Sequence, residues 1–280
     1  MSAVADSAHR EQQRWRVLSP TNRRARLRDI VTSWPVARVI GARDIKVKYK
    51  QSALGPIWLV LQPLGILVAI TVAFSGVTDV DTGDVPYLAF ALVGVTVWTF
   101  ISTTLAIAPQ AMLLNASLVR RSPAPRIAFV TGSLYSNLPQ LAIMGTITLI
   151  GALTLNGLGP ELLTLPLFVA WLLIFTWSVV LLIAPVAARF RDAVAVVPLL
   201  IQAGIFLAPI GYPLDSAPDN VKLLLSLNPV SGLTEGWRWA VLGISPDLTV
   251  MAIGGVWTLI LLVVGWHMWG RLEVRLADFI

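Results

Sequence analysis

Four lysines bear on whether this chain can hold a nucleotide phosphate. A phosphate-binding loop ends in Gly-Lys-Ser or Gly-Lys-Thr, because the lysine reaches the phosphates and the hydroxyl holds magnesium. Lys46, Lys48, Lys50 and Lys222 are followed by Val, Tyr, Gln and Leu, so ATP hydrolysis by that route is not expected. Asp79-Val-Asp81 has the spacing of a carboxylate pair that could hold a divalent metal in a glycosyltransferase, but it lies in the acidic turn 78–84 with no basic residue nearby. Asp44, flanked by Arg43 and Lys46, is the one carboxylate with basic neighbours suited to a phosphate. Cysteine is absent, which removes disulfide frameworks, thiolate metal sites and a catalytic Cys. His9 and His267 are too far apart to suggest a metal site. Asn115-Ala-Ser117 has the form of a glycosylation acceptor but falls at the cytoplasmic end of a span and is discounted. No catalytic residue, metal ligand or cofactor of its own is expected on this chain.

The elements that carry these residues follow from composition. Of 280 residues, 56% are hydrophobic and 13% charged, against about 25% charged in a soluble domain. Charge is excluded from six runs, 51–78, 85–119, 127–160, 162–188, 193–214 and 248–270, each longer than the roughly 20 residues that cross a bilayer as a helix. The expected fold is an all-α integral membrane protein with six transmembrane helices. Carriers coupled to protons or sodium place ionisable groups within their spans. These runs carry none beyond His267 at the edge, which favours an external energy source. Residues 1–33 are polar and Arg-rich, without the apolar stretch of a signal peptide.

Lysine and arginine fix the orientation, since basic loops stay in the cytoplasm. Nineteen of the 21 lie on one face: 12 in residues 1–56, then Arg120, Arg121, Arg126, Arg189, Arg191, Arg271 and Arg275. The other face has Lys222 and Arg238 against Asp79, Asp81, Asp84, Glu161, Asp215, Asp219, Glu235 and Asp247. A multi-pass protein of the inner (plasma) membrane with both termini cytoplasmic is expected, and the basic balance needs no nucleic acid. Ahead of the first run, Val36, Val39, Ile40, Val47 and Leu54 share one side of a helical wheel, which suits an amphipathic helix in the membrane interface. The alternation from Ile45 to Lys50 leaves a short extended piece open. Between the last two runs, apolar stretches too short to span are broken by Pro229, Gly232 and Gly236. They suggest re-entrant helices, with Trp237 and Trp239 in the aromatic belt. The expected divisions are a cytoplasmic tail over 1–33, an interface helix over 34–54 and a six-span domain over 55–280.

The segment Arg43-Asp-Ile-Lys-Val-Lys-Tyr-Lys-Gln-Ser-Ala-Leu-Gly-Pro-Ile-Trp-Leu-Val-Leu-Gln-Pro63 resembles the signature that opens the membrane subunits of polysaccharide-exporting ABC transporters, the Wzm-like or TagG-like permeases. Arg189-Phe-Arg-Asp192, Ala208-Pro-Ile-Gly-Tyr-Pro213, Asn228-Pro-Val, Trp237-Arg-Trp-Ala-Val-Leu-Gly243 and Glu273-Val-Arg-Leu-Ala-Asp-Phe279 follow in the same order. The resemblance implies a homodimer of permease chains and two copies of a separate ATPase subunit, which would carry the ATP and magnesium. Its implied cargo is a polyprenyl-diphosphate-linked polysaccharide of O-antigen, teichoic-acid or cell-wall galactan type. The Ala-, Val- and Arg-rich composition hints at a GC-rich genome and so at a galactan. Carried onto this chain, Arg43, Asp44, Lys46, Lys48, Tyr49 and Lys50 belong to the interface helix. Arg120, Arg121, Ser122, Pro123, Ala124, Pro125 and Arg126 form the ATPase-coupling segment, with Ala124 where many members have an aromatic. Sugars pack their C–H faces on aromatic rings that keep a polar edge, so Trp58, Tyr87, Trp98, Phe100, Phe206, Tyr212, Trp237 and Trp239 are the channel and exit candidates, with Phe74 and Phe90 beside them. The competing readings are an ABC permease for drugs or small lipids, a membrane-embedded polyprenyl-phosphate glycosyltransferase using Asp44, and a scaffold protein without transport.

Overall fold

The computed structural model describes residues 27–50, 52–75, 82–121 and 124–273. Most of the tail 1–33, the pair Asp79 and Asp81, Ser122 and Pro123, the side chains of Arg120 and Arg121, and residues 274–279 of the terminal motif lie outside them. Every element among the described residues is helical. In chain order these are α1 (Leu27–Lys50), α2 (Trp58–Ser75), α3 (Tyr87–Ile107), α4 (Ala116–Arg121), α5 (Ile127–Leu155), α6 (Leu165–Arg189), α7 (Ala193–Gly204), α8 (Asp219–Ser226), α9 (Pro229–Leu242) and α10 (Leu248–Leu272).

Five of the described segments are long and apolar enough to cross a membrane: Gly55–Phe74, Tyr87–Gln110, Ile127–Leu155, Pro160–Arg189 and Leu248–Leu272. This differs from the expected six. The run 193–214 forms only the 12-residue helix α7, which rises about 18 Å at 1.5 Å per residue, and then loses helical structure. The run 85–119 also holds more than one helix. After α3 come a 3-10 turn at Ala108–Gln110, set by Pro109, and the separate short helix α4.

Helix α3 is apolar around its whole circumference, and such a helix must be enclosed. It is the central element, packed on α2, α5, α6, α7 and α9, and Phe100 in its middle is fully buried. Two clusters fill the bundle. One joins α3 to α5, α6 and α9 through Met144, Leu172, Leu233 and Trp237. The other, at the opposite end, joins α1, the Ala108 turn, α5 and α6 through Ala37, Met112, Phe129 and Leu181, with Trp269 of α10. In lipid, apolar side chains gain little from leaving their surroundings, so interhelical hydrogen bonds and close backbone approach hold helices together. Thr96 of α3 and Thr148 of α5 meet at 2.7 Å, Thr103 donates to Gln140 at 3.0 Å, and Trp171 of α6 donates to Thr258 of α10 at 2.8 Å. Each such bond contributes about 0.6 kcal/mol on average in a membrane bundle.

Helix α1 covers Leu27–Lys50 where the interface helix is expected over 34–54, and Gly55, with a positive φ of 51°, and Pro56 lie between it and α2. The extended alternative over Ile45 to Lys50 is not what forms. Its buried stripe is Ser33, Ala37, Ile40 and Gly41, while Val39 and Val47 face outward at 71% and 66% exposure. The wheel face expected from sequence is therefore divided. Small residues dock α1 on α5 and the large valines point away. At that crossing a Cβ on Gly41 would stand 2.8 Å from the Gly132 carbonyl oxygen, so both glycines are needed for the approach. Gly41→Ala is expected to destabilise the protein by about 1–3 kcal/mol, as overpacking does, seen as a lower thermal midpoint in detergent. Gly65→Ala and Gly145→Ala, where an added Cβ meets nothing within 4 Å, should leave the midpoint unchanged or raise it.

Candidate functional site

The interrupted run after α7 is the most unusual backbone in the molecule. Its sequence from 205 is Ile-Phe-Leu-Ala-Pro-Ile-Gly-Tyr-Pro. Pro209 and Pro213 carry no N–H, and each disfavours helical geometry in the residue before it. The helix therefore stops at Gly204 and the chain continues as irregular backbone to a 3-10 turn at Leu214–Ser216. This break lies along α3. Helix α7 begins beside the Ala108 turn at the C-terminal end of α3. Farther on, Gly204 abuts the ring of Trp98, the backbone of Ile210 lies directly on Gly94, and Gly211 reaches Tyr87 at the first turn of α3. Gly94 sits about 10 Å along α3 from its start, at 1.5 Å per residue.

Irregular backbone at membrane depth is tolerated only when protein satisfies its polar groups. Every carbonyl from 206 to 211 has a donor. Phe206 accepts from the Tyr212 hydroxyl at 3.2 Å, Leu207 from Asn228 Nδ2 at 2.6 Å, and Ala208 from the Ile210 amide at 2.8 Å. Pro209 and Ile210 both accept from Arg238 Nη2, at 2.7 and 2.9 Å, and Gly211 accepts from the Tyr87 hydroxyl at 2.8 Å. Five of these six bonds come from side chains, and three of the donor residues, Tyr87, Asn228 and Arg238, come from outside the run.

Two features of α8 and α9 bring those donors in. Asn228 is the N-cap of α9, its side-chain oxygen accepting from the Val230 amide at 3.0 Å, with Pro229 at the first helical position. That is the arrangement that starts helices most readily, and it leaves Nδ2 free to bond Leu207. One helical face then carries Trp237 into the core and Arg238 onto the break, and the helix stops at Gly243 with φ 70°. Gly232 meets Gly254 of α10 closely enough that a Cβ on either would stand 3.2 Å from the other's Cα.

Arg238 is 1% exposed. Its guanidinium lies 3.6 Å from the ring centroid of Phe90, a cation–π seat, and 3.5 Å from the Glu235 carboxylate one turn earlier. Burial lowers it to about 10, which leaves it charged at neutral pH. Burial likewise pushes Glu235 up from the usual carboxylate range. The guanidinium thus spends its charge on two carbonyl dipoles, a ring face and one carboxylate.

The aromatics expected at the channel divide into two groups. Trp98 (7%), Phe100 (0%) and Trp237 (2%) are enclosed within the chain. Helices α3 and α9 are surrounded by their neighbours, so these rings pack in the core of the chain, and Trp237 donates to the Phe168 carbonyl. Trp58 and Phe206 are exposed, Phe206 at 79%. Tyr87, Tyr212 and Trp239 are half-buried. Tyr212 packs on Phe74 at 5.6 Å and Trp239 edge-on against Phe168 at 5.9 Å. Phe206, Tyr212 and Tyr87 keep exposed or half-buried rings at the break.

At the other end of the bundle, Arg43 donates to Asp44 and, at 2.6 Å, to Asn115 Oδ1, fastening α1 to the turn before α4. Asn115 is buried and its amide donates to Ala111. Lys46, Lys48 and Lys50 project outward, while Tyr49 is half-buried. Of the segment 120–126, Ala124, Pro125 and Arg126 form the turn into α5, and Arg126 Nη1 donates to the Glu273 carbonyl at the end of α10. In the sequence Arg238 reads as an outward-facing charge and Asn228 as the start of a re-entrant motif, and neither reads as a donor to the break. The available signal was a lone arginine within an apolar helix, since an ionisable group in such a setting is seldom incidental.

Comparison with known proteins matches residues 36–242 to the ABC-2 type transporter family, a range that ends with the last residue of α9. Two O-antigen export system permease proteins RfbA of Klebsiella pneumoniae are 26% and 24% identical over 246 residues, covering 86% of this chain and 93% of each relative. An O-antigen export system permease protein RfbA of Myxococcus xanthus is 25% identical over 200 residues, 70% of this chain and 76% of the relative.

The two bonds of Asn228 are separable. Asn228→Asp keeps the cap but loses the donor to Leu207, and should lower stability by about 0.5–1.5 kcal/mol, the net worth of one hydrogen bond whose acceptor water can still reach. Asn228→Ala removes the cap as well, adding about 1 kcal/mol. Thermal unfolding in nanodiscs, followed by tryptophan fluorescence, should rank wild type above Asp above Ala.

Proposed function

Because this chain belongs to the ABC-2 type transporter family, we propose that it is the membrane permease subunit of an ATP-driven exporter that carries a polysaccharide, borne on a polyprenyl diphosphate lipid, out across the inner membrane. The observation that carries this reading is the match, over 86% of this chain, to permeases named for O-antigen export. In this reading ATP and magnesium belong to a separate ATPase partner, in two copies beneath two copies of this chain, which fits a sequence without a Gly-Lys-Ser or Gly-Lys-Thr. Both termini face the cytoplasm in this reading. A glycan is too long to be enclosed and must thread a continuous passage. The exposed Phe206 and half-buried Tyr212 and Tyr87 offer stacking surfaces where that passage meets the outer side.

Transmission from the ATPase falls to the coupling segment Arg120–Arg126, which leads into α5. Arg126 is held by the Glu273 carbonyl. Arg126 is then an anchor that ties the segment to α10, and Arg120 and Arg121 are the groups that grip acidic residues of the ATPase. Arginine presents a planar fork that lysine lacks.

Depleting the chain should make lipid-linked glycan accumulate in the cytoplasmic leaflet while surface glycan falls, measured by leaflet-specific labelling. Normal surface glycan after depletion would overturn the export reading. Changing Arg120, Arg121 and Arg126 together to Lys should preserve insertion, since the topology signal needs only charge, but reduce glycan-stimulated ATPase activity of the assembled complex about tenfold. Full coupling by that variant, and by one with Pro123 and Pro125 changed to Ala, would leave the segment as a topology anchor only.

A further inference from the structure

We propose that Arg238 is a positioning residue for export, one that touches no cargo but sets the outer rim of the passage by fixing where the break places Phe206 and Tyr212. The inference rests on the export reading and deepens it. The backbone from 206 to 211 has no helix or sheet to define its course, and two of its successive carbonyls, at Pro209 and Ile210, depend on one Arg238 nitrogen. Arg238 is itself seated by Phe90 of α3 and by Glu235. The break therefore takes its place from two helices at once: α3 through Phe90 and Tyr87, and α9 through Arg238 and its cap residue Asn228.

The aromatic candidates hang from the same stretch. The Tyr212 hydroxyl donates to the Phe206 carbonyl, which closes residues 206–212 into a loop with one ring at each end. Phe206 is 79% exposed, and Tyr212 leans on Phe74 of α2. Moving the carbonyls of 209 and 210 moves both rings together. Lysine at position 238 keeps a positive charge but loses the flat guanidinium that stacks on Phe90 while bonding two successive carbonyls. Arg238→Lys thus loosens the rim without removing the charge.

The chain has no cysteine, so a single introduced thiol reports its own position. Phe206→Cys on the otherwise wild-type chain should react with a membrane-impermeant maleimide from the outer side. In the Arg238→Lys background that rate should change at least fivefold and glycan export should fall at least tenfold, with the chain still inserted and bound to its ATPase. Leu163→Cys, 87% exposed in the turn before α6, is the control and should label alike in both backgrounds. Wild-type labelling at 206 in Arg238→Lys overturns the proposal, as does altered labelling with wild-type export. Should Arg238→Lys fail to insert, Phe90→Leu decides, because it removes the seat and keeps the guanidinium. A labelling change of twofold or more is then expected, and none overturns the idea. The labelling arm reads the rim directly, so it stands even where depletion experiments reject glycan as the cargo.

Discussion

A backbone carbonyl that faces hydrocarbon without a donor is the constraint on which the outer half of this protein depends. The run after α7 stops being helical at Gly204 with bundle still to traverse, and six successive carbonyls must find partners. They find them on Tyr212, Asn228, Arg238 and Tyr87 and on one amide of the run itself. Around that need the neighbourhood is arranged. Asn228 starts α9 and serves the break with the same side chain, α9 carries Arg238 to it, and Phe90 backs the guanidinium. Charge inside a membrane protein is costly unless paired or seated, and here the arginine has both a carboxylate and a ring.

The two ends of the bundle are built by different means. Around the break, polar side chains hold irregular backbone, and one glycine contact, Gly232 on Gly254, lets α9 lie against α10. Around the basic face, small residues do the joining. Gly41 and Gly132 bring α1 down on α5, alanines at 37, 108, 128, 184 and 188 fill the cluster, and Trp269 closes it. Two long-range charged contacts lie there: Arg43 to Asn115 ties α1 to the turn that leads into α4, and Arg126 to the Glu273 carbonyl ties the start of α5 to the end of α10. Helix α3 runs through both ends, which explains why it is the most enclosed of the spanning segments.

How far the sequence could be read depends on the range of the interactions concerned. Helices α2, α3, α5, α6 and α10 were legible because a charge-free run of sufficient length has one main option in lipid. The run 193–214 met the same test and departs from it, since Pro209 and Gly211 break the helix and its substitute partners stand 20 to 30 residues later. No periodicity reveals a carbonyl bonded to Arg238. The Ala208-Pro-Ile-Gly-Tyr-Pro213, Asn228-Pro-Val and Trp237-Arg-Trp motifs were visible, but their convergence on one another was not. For the same reason the enclosure of Phe100 and Trp237 is not legible in their residue types. Sequence shows an aromatic, and only packing shows that α3 and α9 are covered on every side. The small-residue stripe of α1 was hidden because hydrophobicity draws attention to Val39 and Val47, which are the residues left outside.

The donors that complete the break have a bearing on how the chain is made. Synthesis proceeds from the N-terminus, and Tyr87 is already in place when residues 206–211 emerge. Asn228 and Arg238 follow 21 and about 30 residues later. Until then the carbonyls of Leu207, Pro209 and Ile210 have no partner within the chain, and hydrocarbon offers none. The fifth run therefore cannot settle in the lipid by itself as an independent span. The run reaches its final course only once α9 is in place, so residues 193–242 form one unit of assembly.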